Sequence, residues 1–394
     1  MSEVKNLAIP PALYDYVLYY ECAAKDWVKG AKKTSVKGDG GLMNLINWNV
    51  TYSHDPNDAG GPTKFGVTKA TWESFVSKHP GKGYSRVLNS MNKNSWLDVV
   101  AWYWNDLSCG GKSANYACAF TLFQMAWGGF SASNQDALLK KLRDNADNKE
   151  YKFLQTGSRY RRIADATHAY TDPMLAYDYI RKAKSTYLYN ISAPGKSNNI
   201  YRCGWLTRNT LSFTPYGLYI SKISYKDGGL NSNSTLDQWE GVAVKWSKEN
   251  KSGYVKIMDW GATPESIEKI SSSVYDLGSY GTNSSSGGVG SSSGGSYSGG
   301  PYSGCGGIYQ LGNYSNAPDA NIQHVQAQNR EEVLNTLVGG SAITDIQKCS
   351  ELITTDKKKR VVNKSNKSKD DETKNDTTKD GETKSDTTTN TTTV

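Results

Sequence analysis

The sequence predicts a mainly α fold with a small β-hairpin near its front, followed by a small β-containing region and a disordered tail. Three observations carry that expectation. Apolar residues recur at helical spacing in several runs between residues 11 and 191. One turn-rich stretch, "SHDPNDAGGPTKFGVTKATW" (Ser53 to Trp72), interrupts them with closely spaced Gly, Pro and Asp. Beyond residue 278 the chain is dominated by Ser, Gly, Thr, Asn and Lys, too polar to bury a core.

In order, "ALYDYVLYYECAAKDWV" places Leu13, Val17, Leu18, Cys22 and Ala23 on a helical face, with Pro11 at a first-turn position. A basic, glycine-rich loop, "KGAKKTSVKGDGG", leads to the short apolar run "LMNLINW". Residues 49–68 read as turns and a small hairpin. Helical patterns resume at Lys69–Lys78, "SWLDVVAWYWNDL", "NYACAFTLFQMAWGGF" and "PMLAYDYIRKAKSTYLYNI". From Ser212 to Tyr275, Tyr, Trp, Ile and Val alternate with Gly, Asn and Ser, the pattern of a few short strands in an accessory region. The organisation expected is therefore a domain over 10–212, an accessory region over 213–278, a Gly/Ser linker over 279–307, a short helical segment over 308–350 and a disordered tail over 351–394.

The formal net charge is +8. The tail from Asp356 carries ten Lys/Arg against eight Asp/Glu, so most of the excess lies on the folded part. A mildly basic globule suits an anionic polymer, either nucleic acid or bacterial cell wall. The six cysteines form no CxxC pair, and four histidines give no metal-ligand cluster; buried thiols are expected, with no metal or other cofactor. The start of the chain lacks a basic segment followed by an apolar run, so no signal peptide is read there. No run of 18 apolar residues offers a membrane span. Synthesis and initial residence in a cytoplasm follow from that reading.

Two carboxylates in a Gly-rich bend, Asp55 and Asp58, are ordinarily solvated turn formers. The surrounding pattern adds more. Asp55, Pro56, Asp58, Gly60, Gly61, Thr63, Gly66, Val67 and Thr68 fall on D-P-x-D-x-G-G-x-T-x-x-G-[IV]-[ST], and "FQMAWGG" and "YRCGWLTR" follow in order. In these residues the chain resembles glycoside hydrolase family 108, the lysozyme-like N-acetylmuramidases of phages and bacteria, over roughly residues 10–212. The resemblance implies a lysozyme-like α+β domain that cleaves β-1,4 bonds of peptidoglycan, as a phage endolysin or a virion-borne lysin. Peptidoglycan would be the partner, with other virion proteins engaged through the C-terminal third and no nucleic acid.

The family's catalytic Glu stands six residues before the first Asp of the bend, where this chain has Asn49. An amide donates no proton as a general acid. Glu21, at the end of the first helical run, is the other candidate, with residues 22–49 as an insertion; Asp39 in "KGDGG" is a third. The ordinary fate of a helix glutamate is exposure, but Glu21 follows a Tyr-rich apolar stretch suited to raising a carboxyl pKa. The resemblance implies Glu21 as proton donor, Asp58 as the ionised partner and Thr63 as holder of the attacking water, with Asn49, Tyr52 and Gly61 against the substrate. Asp55 is assigned to the turn. Trp96, Trp102, Trp104 and Trp127 are expected in the core. A second function fits the same motifs: a catalytically inactive wall-binding or tail structural protein built on this fold.

Overall fold

Pro10 and Pro11 set the entry of the first helix, α1 (Pro11–Glu21), and an extended Cys22 (φ −91°, ψ 135°) ends it. The computed structural model describes residues 6–22, 24–28, 36–54, 61–150, 157–273, 275, 277 and 280–281. Every residue of α1 from Asp15 to Glu21 is buried. A helix apolar nearly all round belongs at the centre of a fold, and the other elements pack about it.

Short strands β1 (Thr63–Lys64) and β2 (Val67–Thr68) pair antiparallel, Thr63 opposite Thr68. Thr68 then caps α2 (Lys69–Lys78), accepting a hydrogen bond from the Thr71 N–H at 3.2 Å. Asn92 and Ser95 form a capping box at the head of α3 (Lys93–Trp102), which continues as a π-turn, Tyr103–Leu107. Asn115 caps α4 (Tyr116–Trp127), whose residues are buried along nearly the whole length. Next come α5 (Ala132–Asn145), α6 (Arg159–Ala166) and the 19-residue α7 (Pro173–Ile191), the last capped by Asp172 with Pro173 at its first position. The bounds of α2 and α7 are those the sequence predicts. α5 carries no such expectation, although Ser131 caps it and Leu138, Leu139 and Leu142 form its buried stripe.

The short α8 (Arg202–Leu206) passes directly into a second π-turn, Thr207–Leu211. A three-stranded antiparallel sheet follows, ordered β3 (Phe213–Thr214), β4 (Gly217–Ser221), β5 (Tyr254–Asp259). Between β4 and β5 lies α9 (Leu236–Glu249), and α10 (Pro264–Ser272) comes after. The strands match the expectation for this region, but "LDQWEGVAVKW" is helix instead of strand. Its Trp239, Ala243 and Trp246 sit at helical spacing on one buried face, and a Thr235–Gln238 capping box fixes its start. The fold class is mainly α with a small hairpin, as the sequence predicts. The expected helix at Asn321–Leu337 and the polar tail lie outside the described residues.

The core runs without a break across residue 212. Phe213, Leu218, Tyr254 and Trp260 belong to the same buried cluster as Tyr16, Phe120 and Tyr177. The Phe213 ring meets Tyr16 edge-on at 5.4 Å, and Trp260 meets Phe120 at 5.6 Å. Tyr177 Oη and Trp260 Nε1 both donate to the Thr214 carbonyl at 2.9 Å. Arg181, buried in α7, binds Asp178 at 2.7 Å and reaches Glu240 of α9 at 2.5 Å. Even Tyr280, which composition assigns to the linker, is fully buried; its carbonyl accepts from Asn190 Nδ2 at 2.6 Å. The four tryptophans expected in the core are there, as are Cys22, Cys109, Cys118 and Cys203 as buried thiols; Cys305 and Cys349 lie outside the described residues. Among the described residues no helix is long and apolar enough to cross a membrane.

Cutting after Ser212 would expose the partners of Phe213, Tyr254 and Trp260, each burying about 150–250 Å². A fragment ending at residue 212 is therefore expected to lose its cooperative urea transition, followed by tryptophan fluorescence. A transition matching that of the full chain would show the two regions to be separable.

Candidate active site

The hairpin turn is the focus of the site. Two residues join β1 to β2, Phe65 (φ 49°) and Gly66 (φ 79°), both left-handed as a tight two-residue hairpin requires. Phe65 is no glycine and needs support in that conformation. Trp96 donates from Nε1 to its carbonyl at 3.1 Å, and Trp48 packs on its ring at 4.8 Å. Gly66 admits no side chain. A Cβ there would stand 2.8 Å from the Glu21 Cβ, 3.3 Å from its Cγ and 3.2 Å from the Trp127 ring. The end of α1 and the tip of the hairpin are thus in direct contact, 45 residues apart in sequence.

Glu21 points inward. Its side chain is 2% exposed and forms an ion pair, through Oε1, with Nη1 of Arg208, itself 7% exposed. Arg208 lies on the second π-turn, and its carbonyl accepts from Tyr16 Oη at 3.4 Å. Burial pushes the Tyr16 hydroxyl well above the usual phenol range, with the Arg208 charge opposing, so that ring is neutral at any working pH.

Both ends of the acidic bend are pinned. Ser53 and Thr63 exchange two backbone hydrogen bonds of 2.8 Å. The Tyr52 N–H donates to Asn89 Oδ1 at 2.9 Å, and the Tyr52 carbonyl accepts from Lys25 Nζ at 3.1 Å. Lys64, nearly fully buried, donates to the carbonyls of Asn89 at 2.9 Å and Met91 at 2.8 Å. Burial lowers its ammonium pKa, with Asp26 opposing. Lys64 so clamps the 88–91 turn onto the hairpin, and Asn89 passes the restraint on to Tyr52.

The structure brings together only part of the set expected from the sequence. Thr63 is buried, its Oγ1 donating to the Gly61 carbonyl at 3.0 Å, and Gly61 (φ 69°) turns the chain into the hairpin. Asn49 is exposed in a turn, its N–H donating to Asn47 Oδ1 at 3.2 Å, while its neighbour Trp48 packs on the hairpin. Tyr52 is 42% exposed on the rim. Asp39 is a local turn former that accepts from the Gly41 N–H at 2.9 Å. Asp55 and Asp58 lie outside the described residues.

Residues 36–46, within the stretch read as an insertion, fold back on α1. Buried Asp15 accepts the N–H groups of Gly38 and Gly40 at 3.1 Å and of Leu42 at 3.0 Å. Burial raises the Asp15 carboxyl pKa, and those backbone donors oppose the rise. Sequence reasoning gave no role to Asp15, Lys64 or Arg208. The last closes the "YRCGWLTR" landmark of the sequence.

Two substitutions test this assembly. Gly66→Ala forces a left-handed alanine, about 1–2 kcal/mol by itself, and drives its Cβ onto Glu21; a larger loss in urea denaturation is expected, and a loss under 1 kcal/mol would mean the contact yields easily. Lys64→Met leaves two carbonyls without their donor, and about 1–3 kcal/mol of destabilisation is expected. Faster amide exchange at Tyr52 should accompany it, and unchanged exchange there would count against the clamp.

Residues 42–129 match the model of the family described as Glycosyl hydrolase 108. The matched stretch contains Asn49, Tyr52, Gly61 and Thr63 and begins after Glu21. No curated protein and no solved structure matches the chain. The family match supports glycoside hydrolase activity, with peptidoglycan as the substrate such a domain implies.

Proposed function

We propose that this chain, with its glycosyl hydrolase 108 segment, is an N-acetylmuramidase that cleaves β-1,4 glycosidic bonds of peptidoglycan. The observation carrying this reading is the Glu21–Gly66 contact, which seats the Glu21 side chain against the hairpin that follows the acidic bend in sequence. In the proposed reaction Glu21 protonates the glycosidic oxygen as the bond breaks. Asp58 stays ionised and stabilises positive charge on the sugar or orients the water, and Thr63 holds that water. Tyr52, exposed next to the bend, offers an aromatic face to a sugar ring. Between turnovers the Glu21 side chain is held through Oε1 by Nη1 of Arg208. The setting proposed is a phage lysin, endolysin or virion-borne; its support is the family resemblance and the long C-terminal third.

One observation favours a second reading. The family match starts at residue 42 and includes Asn49, the position of the family's acid by ungapped counting. On that reading the chain is a wall-binding relative without hydrolysis, and Glu21 serves the core as half of an ion pair.

Release of reducing ends from purified peptidoglycan separates the two. The wild type is expected to release them, and Glu21→Gln, which keeps a carbonyl oxygen for Arg208, to lose about 10²–10⁴-fold in rate with its fold intact. Full activity in Glu21→Gln would remove Glu21 from the mechanism. An inert wild type that gains activity on Asn49→Glu would select the second reading.

A further inference from the structure

We infer that Arg208 is a positioning residue for hydrolysis, one that holds the Glu21 carboxyl in place beside the hairpin turn; this rests on the proposed role of Glu21. Stability alone does not account for the pair. Taking two charges out of water costs several kcal/mol per ion, and apolar side chains of similar volume often do as well or better in such places. What a buried ion pair adds is direction. With Nη1 of Arg208 on Oε1, one oxygen of the Glu21 carboxyl is held by a guanidinium that is itself buried.

The segment carrying Arg208 is built for that task. It is a π-turn, Thr207–Leu211, a geometry that recurs at functional positions because it moves a side chain out of α-helical register. The turn is fastened to α1 on both flanks. Tyr16 Oη donates to the Arg208 carbonyl at 3.4 Å, and Ser212 Oγ donates to Tyr20 Oη at 2.6 Å. Its far end is held by Tyr254 of β5, which donates to the Leu211 carbonyl. Asn209 Nδ2 closes the turn on the Trp205 carbonyl at 2.9 Å. Tyr16, Tyr20 and Glu21 belong to one helix, so the element that supplies the carboxylate also holds the backbone that delivers its arginine. The region beyond residue 212, which lies outside the family match, thereby enters the site through Tyr254 and β5.

Two variants test the assignment, Arg208→Lys and Arg208→Met, assayed for reducing-end release against peptidoglycan concentration, with melting temperature and circular dichroism alongside. Lysine keeps the charge and loses the rigid fork. For Arg208→Lys, kcat is expected to fall about tenfold with apparent KM within twofold, the pattern of an interaction that acts in the transition state. Arg208→Met is expected to lose about 10²-fold or more in kcat, the scale of a misplaced reacting group. If Arg208→Met fails to fold, Arg208→Lys decides alone. Wild-type kcat and KM in folded Arg208→Lys would overturn the inference. So would a raised KM at unchanged kcat, which would make Arg208 a sugar ligand, or a variant faster than wild type, which would make it a restraint. An inert wild type sinks the hydrolase reading and this inference together; an active wild type with an indifferent Arg208→Lys sinks only this one.

Discussion

A carboxylate at the buried end of a central helix is costly in isolation, because neither water nor the helix dipole compensates it there. The C-terminal end of a helix carries partial negative charge, so the macrodipole opposes an acid at that position. Glu21 occupies it with its side chain almost wholly buried. An opposite charge must therefore be brought in, and it comes from 187 residues further along the chain, in Arg208. Much of the architecture can be derived from that one requirement. The guanidinium must itself be buried, so the chain near residue 208 must be covered, and β3, α7 and α9 pack against it.

Helix α1 meets the requirement by working on several sides at once. Asp15 gathers the 38–42 loop through three backbone donors. Tyr16 and Tyr20 grip the π-turn, and Tyr19 Oη donates to the Ser221 carbonyl of β4 at 3.2 Å. The loop is in turn pressed between α1 and the sheet, since a Cβ on Gly38 (φ 83°) would lie 2.1 Å from the Ile257 carbonyl oxygen of β5. A helix with polar tips on tyrosine rings suits this position. The rings bury large areas while each hydroxyl finds a backbone or side-chain partner.

What could be read from the sequence followed the range of the interactions involved. Proline and cap residues fixed α2 and α7 to their ends, because those signals act within a turn of the helix. A small hairpin within residues 49–68 was legible for the same reason, though not its turn at Phe65-Gly66. The helix α9 was not, since Trp, Val and Gly in "DQWEGVAVKW" satisfy an alternating pattern as well as a helical one, and only its packing decides. The meeting of α1 with the hairpin could be inferred from a family pattern with one member out of place. Arg208 closes a landmark of the family pattern, but nothing local to it pairs it with Glu21. Nor does the Gly/Ser composition after residue 278 show that Tyr280 docks on Phe130, with ring centres 6.0 Å apart.

The two candidate acid positions are distinguished by what the hairpin glycine is for. If Gly66 served the turn alone, its left-handed φ would be a sufficient reason for it, and the space beside it could be filled by any side chain. That space is filled by the Cβ and Cγ of Glu21, at separations that exclude even a methyl group on residue 66. Asn49, by contrast, stands exposed, and its segment touches the hairpin through Trp48 against Phe65. The hairpin backbone is thus fitted to the methylene groups of Glu21, the arrangement that the role proposed for this residue uses. In that arrangement residues 22–49 lengthen the path between acid and bend along the chain, and Asp15 ties residues 38–42 of that path back to α1.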